Sequence, residues 1–355
     1  MSRFKTMIKA LSTYAYELIV ESRLLYYFLS FLLPYIPSRL LSYGPRQFSH
    51  VEEIVDASGK VLTVSRWNNR TYFVGCQSLL PFVKAMRIRQ TDILLCSYPK
   101  AGAHWVHEIL HSLVNKQPQL TRYGKELDGM IEGLPHVLFD SLPSPRVLNS
   151  HLLYDQLPRE VQQKKIKIVL MLRNPKDTVV SYYNHHTSMA ELYGYTGSFS
   201  DYFRLFMDGR LEYGDYFNYI LEWDSVMKTM TNNPIFPLTY EDLREKPKEC
   251  IINLAHFLQI PVTDAFAEEV IKACDFENLQ TVRKTQNKTL GKIYRKGTVG
   301  DWTNWLTDEQ SKQIDDVCQA QMTKCFYKPR CCFDFATPFI DCVRIGFQQV
   351  KNPSS

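Results

Sequence analysis

The chain is predicted to be an α/β domain built on a parallel sheet, and three observations carry that expectation. Three short apolar runs each lead through a tight loop into a helical pattern. The runs are near-continuously apolar rather than alternating. The 355 residues, 45% of them apolar and 22% charged, are enough for one large domain or two ordinary ones with a sizeable core. Strands apolar on both faces need cover on both faces, which helices flanking a parallel sheet provide.

The first unit runs from residues 92 to 98 (DILLCSY), stops at Pro99, and resumes at 104 to 115 with Trp105, Ile109 and Leu113 at helical spacing. The second starts at 166 to 172 (IKIVLML). Asn174 follows as N-cap, Pro175 takes the first helical position and Asp177 the third. In the third, IFPLTY at 235 to 240 precedes a helix through Cys250, Ile251, Leu254, Ala255 and Leu258. In such sheets ligands bind outside the carboxyl ends of the strands, so the residues just after each run are the candidate site.

Composition narrows the function classes. The apolar and charged shares, with 18 Pro and 15 Gly, exclude disordered, collagenous and low-complexity chains. The net charge of +5 is concentrated at the start, where residues 1 to 46 hold six basic and two acidic residues. The remainder is near neutral and lacks the sustained basic face that a nucleic acid needs, so nucleic acid is not an expected partner. A small anionic ligand held by a few cations stays open. Nine cysteines with no CxxC pair point to reduced thiols and a cytoplasmic location. Five of them (Cys318, Cys325, Cys331, Cys332, Cys342) lie near the C-terminus. Core packing is their default reading; lipidation and redox pairing are the alternatives.

Residues 1 to 45 form a separate extension. Phe4, Ile8, Leu11, Ala15, Leu18 and Ile19 recur at helical spacing, and Leu24 to Ile36 is apolar without a charge. That stretch falls short of the ~20 residues needed to span a bilayer, and no small-residue cleavage site follows it. Two readings remain: a helix lying in a membrane interface, with Tyr26, Tyr27 and Tyr35 at headgroup level, or a helix docked on the protein or a partner. The expected organisation is therefore an extension at 1–45, a domain at 46–330 and a cysteine-containing tail at 331–355.

The segment Tyr98-Pro-Lys-Ala-Gly-Ala-His-Trp105 lies where a strand turns into a helix. Pro99 ends the strand, Gly102 permits a bend, helix N-terminal amides face any bound anion, and Lys100 adds a charge. The pattern is not GxxxxGK[ST], which disfavours a nucleoside triphosphatase with Mg²⁺ on a Ser or Thr.

Three further segments follow in order: Arg-Asn-Pro-Lys-Asp at 173–177 with Ser181 beyond it, Tyr-Glu-Asp-Leu at 240–243, and Arg-Lys-Gly-x-x-Gly-Asp-Trp at 295–302. Read with the Lys100 loop, residues 50 to 330 resemble the cytosolic sulfotransferase family. The resemblance implies a P-loop-like three-layer α/β domain with a central parallel sheet flanked by helices. It implies transfer of a sulfuryl group from 3′-phosphoadenosine 5′-phosphosulfate (PAPS) to a small alcohol, phenol or amine, with no metal. Lys100 and the amides of Ala101, Gly102, Ala103, His104 and Trp105 would hold the 5′-phosphosulfate. Arg173, Ser181, Arg295, Lys296 and Gly297 would hold the 3′-phosphate. Trp105, Tyr240 and Phe276 match positions around the adenine, and Cys274 belongs to the same cofactor-binding set. Ordinary aromatic core is the competing reading for these rings. His151, in Arg-Val-Leu-Asn-Ser-His-Leu at 146–152, matches the catalytic base, and Lys100 would neutralise charge on the leaving phosphate.

The chain departs from the family pattern in three places. Ala103 and His104 stand where two threonines are usual, and Asn149 stands where a lysine precedes the base. Thr303, Asp308 and Lys312 replace the residues of the family's dimer motif, so that dimer is not expected and the oligomeric state stays open. The loop and Asn149 motivate an alternative, a catalytically weak or inactive membrane-peripheral relative that still binds the nucleotide. His107-Glu-x-x-His111 reads as a zinc metalloprotease signature and is the remote rival, though no third ligand follows in pattern. The pair His185-His186 and the sequons at Asn69 and Asn287 are left unassigned.

Overall fold

The computed structural model describes residues 50–76, 79–121, 124, 129–140, 142–230, 233–286, 291–329 and 332. The 1–45 extension lies outside these residues, as does the 331–355 tail apart from Cys332.

The three predicted strands form, with a fourth just ahead of His151. β4 (Ile93–Ser97), β5 (Val147–Ser150), β6 (Lys167–Leu172) and β7 (Ile235–Thr239) make one parallel sheet in the order β5-β4-β6-β7. Ile93 pairs with both Val147 and Lys167, and Ile168 pairs with Ile235. The apolar runs are buried throughout, and their alternation sorts them between two cores. Leu94, Cys96, Leu148 and Leu170 face one core; Ile93, Leu95, Val169 and Leu238 face the other. This is why the strands are not patterned polar on one side. Pro237 sits in β7, at the sheet edge, where its missing N–H breaks no ladder.

Helices cover both faces. α1 (Ala103–Asn115), α6 (Pro247–Leu258) and α7 (Asp264–Ala273) bury Ile109, Leu254 and Val270 against one side. On the other lie α2 (Pro175–Ser188), α3 (Phe199–Met207), α4 (Tyr216–Ser225) and α9 (Asp308–Gln321). α5 (Tyr240–Glu245) follows β7 directly, and α8 (Phe276–Gln286) follows α7. The cap at α2 is as expected: the Asp177 N–H donates to the Asn174 side chain at 2.7 Å, with Pro175 opening the helix.

A second sheet adds to the face that carries α2. β1 (His50–Val55), β2 (Val61–Trp67) and β3 (Arg70–Tyr72) are antiparallel, with Ile54, Leu62, Val64 and Tyr72 in the core. The signal of this meander is the two-residue turn Asn68-Asn69, where both residues have positive φ (47° and 61°), the backbone of a tight hairpin that asparagine tolerates. Cys318, Cys325 and Cys332 are buried in the same core.

Candidate active site

The carboxyl ends of the four parallel strands each deliver a residue singled out above. β4 runs into Tyr98-Pro-Lys-Ala-Gly, β5 into His151, β6 into Arg173 and β7 into Tyr240. Because β4 lies between β5 and β6, the loop of Lys100 is flanked by His151 on one side and Arg173 on the other.

The loop is shaped by two left-handed residues. Lys100 has φ 65°, a costly value for a side chain of its length. Gly102 has φ 114°, and a Cβ there would stand 2.8 Å from the Tyr240 ring and 2.9 Å from Met171 Cε, so glycine is required on two counts. α1 opens at Ala103, after Gly102 as N-cap, and the Trp105 N–H of its first turn donates to the Gly102 carbonyl at 3.1 Å. Lys100 Nζ lies 3.4 Å from His185 Nδ1, whose other ring nitrogen is 3.1 Å from the Tyr193 hydroxyl. His104, in place of the threonine expected there, sets its ring against Tyr294 at 5.8 Å.

Arg173 is buried beside this loop. It donates to the Lys100 carbonyl at 3.1 Å and the Thr298 carbonyl at 3.3 Å, and its guanidinium lies 4.3 Å from the Tyr240 ring centre. Its Nε is buried with no hydrogen-bond partner among the described residues. An orphaned guanidinium N–H is costly unless an anion satisfies it, so the site suits a phosphate. Ser181, on α2, is half-buried.

The fourth motif arrives from far along the chain. Gly300 and Trp302 donate their N–H groups to the Asp177 carboxylate at 2.7 and 3.1 Å, which binds the Gly-Asp-Trp segment to the first turn of α2. Lys176 adds bonds to Asp315 and Ser311 and lies 4.5 Å from the Trp302 ring centre. Arg295 and Lys296 both pair with Asp301. Burial opposes the Asp301 charge, yet the bonds from Lys296, Arg295 and Asn304 hold its carboxyl down at about 2. Gly297 packs so closely that a Cβ would fall 2.3 Å from the Phe276 ring. The predicted residues Arg295, Lys296, Gly297 and Phe276 are thus brought together.

Two aromatic pairs flank the loop: Trp105 against Tyr240 at 5.5 Å, and Phe276 against Tyr294 at 6.2 Å. Tyr294 had escaped the sequence reading; only its place next to Arg295 could have flagged it. Cys274 is fully buried, its sulfur 3.7 Å from the Ser112 hydroxyl on α1, so its side chain faces the core.

His151 is 9% exposed, just past β5. Its Nδ1 lies 2.8 Å from the Ser97 carbonyl, a contact that only the Nδ1–H form can make, and that leaves Nε2 as the ring's proton acceptor. The imidazole borders a cavity of about 470 Å³ whose floor includes Tyr72, Tyr213 and Tyr219, with Glu53, Arg70, Arg210 and Glu222 toward solvent. Asn149 is buried within β5, its N–H donating to the Gly129 carbonyl at 2.8 Å.

The His107–His111 pattern lies on α1, with the two rings in contact at 4.5 Å. Glu108 is turned into a buried ion pair with Arg283 at 2.6 Å and accepts from the N–H and hydroxyl of Thr121. A glutamate spent on an arginine is not poised over a metal-bound water. No group of three or more His, Cys, Asp or Glu side chains suited to a metal converges among the described residues.

An open parallel sheet with an anion loop at its strand ends and an imidazole one strand away defines an α/β enzyme of the group-transfer class. Residues 90–326 match the sulfotransferase domain, and the chain belongs to that family; it is a sulfotransferase. It is 31% identical over 244 residues to zebrafish (Danio rerio) sulfotransferase 6B1, covering 68% of this chain and 81% of that one. It is 31% identical over 259 residues to rat (Rattus norvegicus) sulfotransferase 1A1, covering 68% and 87%. Among solved structures, mouse sulfotransferase SULT7A1 complexed with 3′-phosphoadenosine 5′-phosphate (PAP) aligns with a TM-score of 0.63 at 26% identity, covering 73% of this chain and 95% of that one. Retinol dehydratase in a complex with retinol and PAP shares the fold, with a TM-score of 0.64 at 18% identity, covering 82% and 99%. The three-layer α/β class expected from the sequence is the one found.

Proposed function

We propose that the chain transfers a sulfuryl group from PAPS to a hydroxyl or amine of a small acceptor, with His151 as general base and Lys100 on the donor. The observation that carries this reading is the placement of Lys100, His151 and Arg173 at the ends of three adjacent strands, β4, β5 and β6. The co-crystallised PAP of mouse SULT7A1 supports the choice of donor. When bound, that donor supplies an activated sulfuryl group on a phosphate leaving group.

The chain's own residues do the rest. Lys100 and the amides from Ala101 to Trp105 hold the 5′ end and offset charge on the departing phosphate. Arg173, with its unsatisfied Nε, takes the 3′-phosphate together with Ser181 and the Arg295–Gly297 segment. Trp105, Tyr240 and Phe276 enclose the base of the nucleotide, and Cys274 supports that wall from the core. His151 Nε2 takes the acceptor's proton as its oxygen or nitrogen attacks sulfur, while Nδ1–H stays on the Ser97 carbonyl. The acceptor enters through the cavity beside His151, whose charged rim suits one that carries polar groups away from the reacting end. The enzyme acts in the cytoplasm.

Thermal unfolding with PAP against 5′-AMP tests the donor site. Stabilisation by the bisphosphate and not the monophosphate is expected, by about 2.7 kcal/mol at a hundredfold excess over Kd. No shift with either would mean that the Ala103–His104 loop has lost the donor. His151→Ala is expected to cut turnover ~10²- to 10⁴-fold with PAP binding intact; retained turnover removes His151 as base. Full PAP binding without turnover in the unmodified chain would favour the nucleotide-binding relative that Asn149 and the loop suggest.

A further inference from the structure

Glu132 has no exposed surface, and the sulfuryl-transfer reading gives it no part. It lies in the stretch that runs beside β5, where Met130 bridges Asn149. Its Oε1 accepts from the backbone N–H of His151 at 2.7 Å, and its Oε2 accepts from the Ser150 hydroxyl at 2.9 Å. A third contact comes from the Tyr213 hydroxyl at 3.4 Å. Tyr213 also sets its ring edge-on to the imidazole of His151, with centroids 5.2 Å apart.

Tyr213 reaches that position at a conformational cost. Its φ is 64°, a left-handed value that a bulky side chain rarely adopts. Two bonds enforce it: the Tyr213 N–H donates to the Thr71 carbonyl, and Tyr98, at the start of the phosphate loop, donates its hydroxyl to the Gly214 carbonyl, both at 2.8 Å. A neutral amide would serve the backbone N–H of His151 equally well. A carboxylate in the same place adds a negative charge behind the ring that must become positive as it takes a proton. In a dry interior such a charge is felt strongly.

We propose that Glu132 is a positioning residue for His151 that also raises its basicity, with Tyr213 moderating the carboxylate's charge and pinning the ring. The proposal rests on His151 being the base. The thiols of Cys76 and Cys96, and the Tyr213 hydroxyl, are held well above their usual ranges by burial and by the Glu132 charge, so they stay neutral near pH 7. Glu212 is the other buried carboxylate acting on Cys76 and Tyr213, and Asp215 and Glu222, both shifted upward by burial, line the cavity.

The test is a histidine-ring NMR titration of the full chain saturated with PAP, with the His151 signal identified by its loss in His151→Gln. Glu132→Gln keeps the shape and removes the charge; the His151 midpoint is expected to fall by about one pH unit, a tenfold change. Tyr213→Phe keeps the ring but withdraws a donor from the carboxylate, so the midpoint is expected to rise by roughly 0.3 unit. A merely structural role does not produce shifts of opposite sign. An unchanged midpoint in Glu132→Gln overturns the proposal; if that variant does not fold, the absence of a rise in Tyr213→Phe overturns it instead. The two readings fail separately. An inactive His151→Ala with unmoved midpoints sinks only the pairing, whereas an active His151→Ala sinks the base assignment however the midpoints behave.

Discussion

His111 shows how one residue of a catalytic-looking pattern is put to structural use. Burial on α1 pushes its imidazole down to about 4, so it is neutral in the folded chain at pH 7. The unfolded chain protonates it near pH 6.5. Between those values the unfolded state binds more protons, so stability from this group is present above about 6.5 and drains away as pH falls toward 4. His111→Leu is expected to flatten the fall in Tm between pH 6.5 and 4; a slope equal to that of the natural chain would count against this account. Nothing in the H-E-x-x-H spacing distinguishes this case from a metal site, because the spacing records a helix face and not what packs on it.

Among the elements, α1 and α8 are joined by the ion pair of Glu108 and Arg283, both 1% exposed. α8 begins at Phe276, which packs on Gly297, so this pair also bears on the wall proposed to enclose the nucleotide. Arg283→Met strands the Glu108 carboxylate, whose pKa burial already raises, and is expected to cost about 3–5 kcal/mol in denaturant unfolding. Adding Glu108→Gln to that variant should recover part of the loss. A loss below about 1 kcal/mol for Arg283→Met would show the charge to be compensated elsewhere. The strands β4, β6 and β7 and the cap of α2 were legible because continuous apolar runs and an Asn-Pro-x-Asp start are local signals. β5 was not, since four residues, Val147–Ser150, carry too little periodicity to separate from a loop. The β1–β3 meander, legible only through its Asn-Asn turn, was missed although it supplies Tyr72 and Thr71 to the cavity.

For the molecule as a whole, the residues proposed to hold the cofactor lie between Tyr98 and Trp302, and no helix among the described residues is long and apolar enough to cross a membrane. Removal of residues 1–45 is therefore expected to leave the PAP-induced rise in Tm unchanged. Sedimentation with anionic vesicles separates the two readings of that segment: loss of pelleting on removal supports a membrane contact, and equal pelleting of both chains overturns it.

The sequence by itself determined the class of fold, the strand–loop–helix turn that carries Lys100, and the Asn174 cap of α2. Each rests on residues a few positions apart, where backbone sterics and helix capping act. Tertiary structure alone decided that Asp177 anchors the Gly300–Trp302 segment, that Glu108 turns to Arg283 rather than to a metal, and that Glu132 and Tyr213 close on His151. These contacts join residues 19 to 175 positions apart. Their partners are chosen by burial, since a charge taken out of water must find whichever counter-group the packed core brings within reach.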